Sequence, residues 1–386
     1  MKQGWEIKKL GDVCYSKSSN VSQNQLTTEV GEYPIFGASG LIKNVSFYHR
    51  EKPYLSIVKD GSGFGRITKM DAFTSVIGTL QYILPNDDID LDYLNYSLMS
   101  VDFKKYVQGA AIPHIYFKDY KSEPFLWMPL PEQQRIVAIL DEAFVAIAKA
   151  KSNAEQNLKN AKELFESYLQ GVFEKKGEGW EEKSLGDVCS LITDGKHGDC
   201  ENEENSGYYF LSAKDVRNGT LLFDNARQIT KSGFEETHRR TNLKPGDICM
   251  VNTGATIGRI SFAPDDPRTY RTTFQKSVAV IKTIPTLIDN SFCCYILQSD
   301  LKKLVKVSSG TAVPNLLLGD LKRHKINLPK SKTEQHTIVC QFDALRVETQ
   351  KLEALYQKKI NDLEELKKSI LQKAFAGELK TEKELA

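Results

Sequence analysis

Pro264-Asp265-Asp266 could open the carboxylate cluster of a metal-dependent nuclease, in which paired acids hold a cation against a phosphate. Such a cluster needs an acidic-x-lysine partner nearby. The neighbouring stretch reads Phe274-Gln275-Lys276 and supplies no carboxylate. The run GSGFG from Gly61 is rich in glycine, but Arg66-Ile67-Thr68 follows it as a strand rather than as a helix start. It therefore lacks the helix N-terminus that would bind a dinucleotide. The chain has no G-x-x-x-x-G-K-[ST] loop, no Asn/Asp-Pro-Pro-Tyr/Phe methyltransferase motif and no convincing nucleophile triad. Its 7 cysteines form no C-x-x-C pair and its 6 histidines complete no zinc spacing. No metal site is expected, and the cysteines read as free thiols of a reducing, cytoplasmic compartment. A chain of 386 residues without a catalytic motif reads as a binder.

What would hold a binding surface is visible as a duplication. GWEIKKLGDVC from Gly4 returns as GWEEKSLGDVC from Gly179, at an offset of 175. GSGFGRI from Gly61 returns as GATIGRI from Gly254, GAAIPHI from Gly109 as GTAVPNL from Gly310, and EQQRIVAILDEA from Glu132 as EQHTIVCQFDAL from Glu334. The offset climbs through 193 and 201 and then holds at 202. Insertions therefore sit in the first part of each repeat, and the second part is fixed in length.

The fixed part reads as one long helix over 132–173 and again near the end of the chain. PLPEQQ precedes the first with two prolines, and Glu132 and Gln133 suit a first helical turn. Apolar or small residues recur by sevens in two rows: Ile136, Ala143, Ala150 and Leu164, then Leu140, Ile147, Ala154, Ala161 and Tyr168. Adding 202 gives Ile338, Leu345, Leu352 and Leu366, then Phe342, Tyr356, Leu363 and Ile370. That is a coiled-coil seam in shared register. Asn157 and Lys359 are polar at one matched seam position, as a frayed site or a register-setting layer. Each helix would span about 60 Å at ~1.5 Å per residue. Its one apolar stripe needs a partner, and the other copy matches it. A pseudo-twofold axis would make the pair antiparallel and hang the variable parts at opposite ends.

The variable parts are rich in short β-type runs broken by Gly, Pro, Asn and Asp. Helical stretches follow, DYLNYSLMSVDFKKYV and SFCCYILQSDLKKLVKV, with Gly109 and Gly310 past them as C-caps. The fold class expected is α+β: two mixed α/β heads at 1–130 and 176–329, separated by spacer helices at 131–175 and 330–386. Trp5 and Trp180 should pack the base of each head, with Cys14 and Cys189 following them inside. Net charge is only +2, so any basic surface must be local. No apolar stretch reaches 18 residues, and MKQGWEIKKL lacks the run of a secretion signal, so no membrane association is expected.

These motifs, in this order and twice over, resemble the specificity subunit of type I restriction–modification enzymes. The resemblance rests on PLPEQQRIVAILDEA, the Trp-x-x-x-x-Leu-Gly-Asp-Val that opens each half, GATIGRI and KKSILQKAFAGEL, and it covers nearly the whole chain. It implies a non-catalytic subunit whose heads are target recognition domains. Each would read one half of a split double-stranded DNA site, and the helices would fix the gap. It also implies two methyltransferase (M) subunits docked on the helices and motor–nuclease (R) subunits beyond them. S-adenosylmethionine, ATP and Mg would sit on those partners, with no cofactor on this chain. The alternatives are a coiled-coil scaffold for protein partners and a degenerate nuclease or methyltransferase.

Under that resemblance, base reading calls for polar side chains on loops that approach a duplex closely. In the first head these are Ser39, Lys43, Lys59, Ser62 and Arg66; in the second, Lys214, Arg217, Asn218, Thr253, Thr256 and Arg259, with Arg271, Thr273, Gln275 and Lys276. Arg66 and Arg259 share a repeat position, which suits phosphate contact or structural pairing. Unshared residues such as Arg271 and Gln275 suit bases. DGKHGD at 194–199 is an insertion that suits a DNA loop or a plain solvated one. Pro113-His114 and Pro314-Asn315 are expected to cap the junction of head and spacer.

Overall fold

A computed structural model describes residues 4–109, 111–217, 219–306 and 314–379. The first half runs β1 (Glu6–Lys9), α1 (Leu10–Val13), β2 (Cys14–Ser18), β3 (Tyr33–Gly37), β4 (Gly40–Val45), β5 (Tyr54–Val58), β6 (Ile67–Met70), β7 (Ser75–Val76), β8 (Leu80–Pro85), α2 (Leu91–Met99), α3 (Phe117–Tyr120), β9 (Pro124–Trp127) and α4 (Leu130–Lys175). The second runs β10 (Trp180–Ser184), α5 (Leu185–Val188), β11 (Cys189–Asp194), β12 (Tyr209–Leu211), β13 (Val216–Arg217), β14 (Thr220–Leu221), α6 (Lys231–Thr241), β15 (Ile248–Val251), β16 (Ile260–Phe262), β17 (Thr272–Phe274), β18 (Val278–Thr283), α7 (Asn290–Ser299), α8 (Leu301–Lys306), α9 (Leu318–Arg323), β19 (Lys325–Pro329) and α10 (Lys332–Phe375). The chain divides into two compact units, Met1–Gln156 with Tyr356–Ala386, and Asn157–Leu355. Each unit is a head with part of both long helices, so the compact bodies cut across the spacers.

The two heads share one plan, mixed α+β. A four-stranded sheet has the order β2-β8-β5-β6 in the first and β11-β18-β15-β16 in the second. A parallel pair accompanies each, β3 with β7 and β12 with β17. The chain entering each head pairs with the strand leaving it, β1 with β9 and β10 with β19. The repeated LGDVC explains itself here. The leucines and valines of α1 and α5 are buried. The aspartates accept the N-cap amides, Asp12 from Lys9 and Asp187 from Ser184. Gly11 and Gly186 admit the carbonyl-bearing backbone of Lys121 and Lys322. The cysteines turn into the core.

GSGFGR and GATIGR are the hairpin turns between β5 and β6 and between β15 and β16. Gly65 donates to Val58 and Gly258 to Val251, each at 2.8 Å. Both glycines are left-handed, φ +78° and +88°, and a Cβ on Gly258 would meet Leu301 at 2.0 Å. The Pro113 and Pro314 segments latch these turns. Gly61 donates to the Pro113 carbonyl and Gly254 to that of Pro314, both at 2.9 Å. These prolines therefore hold the glycine turns, rather than capping head against spacer.

Glutamine joins each head to its helix. Gln133 and Gln335 are fully buried. Gln133 accepts the Asp90 amide at 2.8 Å and donates to the carbonyls of Asp88 and Met128. Gln335 accepts the Asp289 amide at 2.8 Å and donates to those of Leu287 and Pro329. Asp90 and Asp289 are in turn the N-caps of α2 and α7. Trp5 is buried, and Trp180 packs on Phe173 and Phe292 while donating to Glu334 at 2.9 Å.

Within each unit the segments of α4 and α10 run antiparallel. In the first, Lys151 bridges Glu364 at 2.6 Å and Lys367 lies 4.9 Å from the Phe144 ring. In the second, Arg346 lies 4.8 Å from the rings of Phe165 and Tyr295, and Phe173 stacks near Phe342. The row Ile136, Leu140, Ile147, Ala154 and Ala161 is buried, as is Phe342; Leu345, Tyr356, Leu363, Ile338 and Ile370 are half-buried. Leu164, Leu352, Leu366 and Tyr168 are exposed. The buried positions of α10 include Val339, Thr349, Ile360 and Ala374 instead. A stripe of period seven assigned one position off puts its leucines outside. Asn157 and Lys359 are exposed and form no polar layer.

Two further expectations change. The run from Asp92 to Val107 is broken, because α2 stops at Met99 and a 3₁₀ turn over Phe103–Tyr106 starts at the Asp102 side chain. Gly109, with φ +87°, therefore caps no helix, and Gly310 lies outside the described residues. Six of the 7 cysteines are buried and Cys340 is exposed. Burial pushes the Cys14 and Cys294 thiols up to about 12. A thiol reagent should therefore titrate one cysteine rapidly in the native protein and the rest only on unfolding. A rapid titre of two or more would contradict this packing. No helix among the described residues is long and apolar enough to cross a membrane.

Candidate nucleic-acid interface

The polar residues singled out in the first head divide into surface and scaffold. Ser39 and Ser62 are exposed. Arg66, also exposed, donates to the Ala38 carbonyl, which ties the glycine turn to the β3–β4 hairpin. Lys43 donates to the Leu26 carbonyl at 3.0 Å, and Lys59 faces Asp60 at 3.8 Å. Lys43 is thus a half-buried brace rather than a free cation. Ser39 and Arg66 line one small cavity of about 210 Å³ with Phe36 and Met70.

In the second head Lys214, Arg217, Arg259, Arg271 and Lys276 are exposed, and Thr256 and Gln275 are half-buried. The Arg217 Nε donates to the Lys214 carbonyl at 2.9 Å, and Arg271 lies 5.9 Å from the Tyr208 ring. Thr253 donates to Asn315 at 2.7 Å. Thr273 is buried on β17, with β12 beside it, and presents nothing to a duplex in this arrangement. All three residues of β17, Thr272, Thr273 and Phe274, are buried, so the strand is covered on both faces although its first two letters are polar. Asn218 lies outside the described residues.

The structure brings together a cluster that the sequence alone did not reveal. Asp194, buried at the end of β11, accepts from His197 Nε2 at 3.0 Å through Oδ2. Through Oδ1 it accepts from Arg240 Nη2, and its backbone carbonyl accepts from Arg240 Nε at 2.9 Å. Arg240 belongs to α6, which Thr230 caps by accepting from Gly233 at 3.2 Å. Among its described residues the first head has no such helix, only the connection between β4 and β5. The signal that could have found it is the Arg239-Arg240 pair in a stretch that the repeat lacks. Asp194, His197, Arg240, Asn252, Thr253 and Lys276 line one cavity of about 410 Å³. Among the described residues, no group of His, Cys, Asp and Glu could hold a metal ion.

The pattern described as the type I restriction modification DNA specificity domain matches residues 2–157 and again 177–365. Three relatives are similar over parts of their length. The specificity subunit of the Escherichia coli type I restriction enzyme EcoBI is 28% identical over 206 residues, 52% of this chain and 42% of that one. The MjaIX specificity subunit of Methanocaldococcus jannaschii is 22% identical over 78% of this chain and 72% of its own. A putative type I specificity subunit of Mycoplasma pneumoniae is 24% identical over 82% and 84%. The chain thus spans less than half of the E. coli relative's length. Among solved structures, a chain from work on complex assembly and conformational transition of the type I R-M system superposes with a TM-score of 0.75 at 18% identity, covering 98% of this chain and 99% of that one. The HsdS subunit of Thermoanaerobacter tengcongensis superposes at 0.60 and 18%, covering 98% of each. At that identity these two establish the fold.

Proposed function

Since the chain belongs to the type I restriction modification DNA specificity domain family and is a specificity subunit of such a system, we propose that it reads a split DNA site, one half with each head. The paired helices hold the heads at a fixed spacing and so set the unread gap. They also carry the docking surface for two methyltransferase subunits, with motor–nuclease subunits joining that core. The chain makes and breaks no bonds itself. S-adenosylmethionine, ATP and Mg are held by the partners, and the complex works in the cytoplasm.

One observation carries this reading. A single head plan is written twice on identical attachments, LGDVC and the buried glutamine, while the polar loops differ between copies. Shared parts serve a shared frame, and unshared parts serve different half-sites. Contacts to phosphate position a head, and contacts to base edges specify its sequence.

Base-modification sequencing of the host genome, with and without this chain, tests the proposal. One bipartite methylated motif should vanish in its absence. An unchanged pattern of modification would leave the chain as a scaffold for protein partners.

A further inference from the structure

Most exposed arginines move freely, but Arg240 does not. Its Nε and Nη2 point at the Asp194 carbonyl and Oδ1, so one edge of the guanidinium is fixed on the end of β11. Asp194 is itself buried and is held on its other oxygen by His197. A guanidinium offers five N–H groups in a rigid fork. The edge spent on Asp194 leaves the Nη1/Nη2 edge, a pair of parallel donors, and nothing else among the described residues accepts from it. The side chain is about half exposed at 48% and lines the cavity of the second head. Asn252 lines the same cavity and is 3% exposed, and its Oδ1 has no partner among the described residues. Lys276 stands exposed at the rim. The cavity thus presents fixed donors, an unused acceptor and a cation at one place.

We infer that Arg240, held by Asp194, reads a guanine in the second half-site. The parallel donors match the O6 and N7 acceptors that guanine presents in the major groove. Asp194 acts as a positioning residue, and Lys276 suits a flanking phosphate. The first head has Ser18 at the sheet position of Asp194 and, among its described residues, no counterpart of α6, so this reading belongs to one half-site only. The inference rests on the DNA-reading function proposed above.

The test uses the complete complex with its methyltransferase partners. The motif is read first by modification sequencing, for the wild type and for Arg240→Ala and Asp194→Asn. Arg240→Ala should cost about 10- to 100-fold in preference for guanine at one position of one half-site. The other half-site and the gap should stay as they were, and Asp194→Asn should lose part of the same preference. Duplexes carrying 7-deazaguanine then probe the wild-type protein, so that a variant that fails to fold does not decide the matter. One guanine of the second half-site should weaken binding about tenfold when its N7 is removed. A second half-site without a G·C pair, or no guanine sensitive to N7, overturns the assignment and leaves the DNA-reading function standing. Unaltered preference in a folded Arg240→Ala does the same. The absence of any bipartite motif in the wild type overturns the functional reading, and this inference with it.

Discussion

Gln335→Leu is expected to lower the stability of the second unit by about 3 kcal/mol, since three buried backbone groups lose their partner at once. The side chain is fully buried and serves the Asp289 amide and the carbonyls of Leu287 and Pro329. Leucine fills similar volume but satisfies none of them, so each bears a desolvation cost. For a unit of this size the melting transition should fall by roughly 10 °C. Thr337→Ala, an exposed change on the same helix, is the control and should shift it little. A Gln335→Leu protein that melts within a degree of the wild type would mean that the join between α7 and α10 rests on packing alone. Gln133→Leu should do the same to the first unit, because its bonds are the same three in kind.

Exchanging residues 1–130 for the first head of another family member is expected to replace one half-site completely. The second half-site and the gap should be unchanged. The reason is local. Gln133 on α4 joins the first head by serving the Asp90 amide and the carbonyls of Asp88 and Met128, while β1 with β9, and Leu10 and Gly11 donating to Glu123 and Lys121 at 2.8 Å, close the head on itself. Those attachments are backbone bonds and repeated letters, so a grafted head that keeps them keeps its seat. Modification sequencing of the hybrid reads the result. A hybrid in which both half-sites change would show that the heads do not read independently.

Much of this architecture was legible because it is written twice. A motif that recurs in order at a nearly constant offset doubles a weak signal, and the long helices carry period seven over many turns. What two copies share, however, is the frame rather than the face that binds. Leu164, Leu352 and Leu366 satisfied the period and still lie outside, since a heptad row fixes spacing and leaves the facing neighbour open. Gln133 and Gln335 looked like ordinary first-turn residues, because their partners are backbone groups distant in sequence. Arg240 escaped because its meaning depends on Asp194, 46 residues away and on another element. Thr273 reads as surface from its polar letter, but both faces of its strand are covered by the rest of the head, which no local pattern records.

The ring-and-cation contacts of the long helices have a consequence for self-recognition. At matched repeat positions α4 carries Phe144 and Phe165, where α10 carries Arg346 and Lys367. It also carries Lys151 and Lys162, where α10 carries Glu353 and Glu364. Each unit therefore sets a phenyl ring against a cation, and Lys151 meets Glu364. Suppose the second half met a copy of itself in the same geometry. Arginine would then face lysine, and glutamate would face glutamate, at both ends of the pair. Two first halves would set lysine against lysine. At these positions the mixed couple alone sets ring against cation and Lys151 against Glu364, so each long helix suits the other better than it suits a copy of itself.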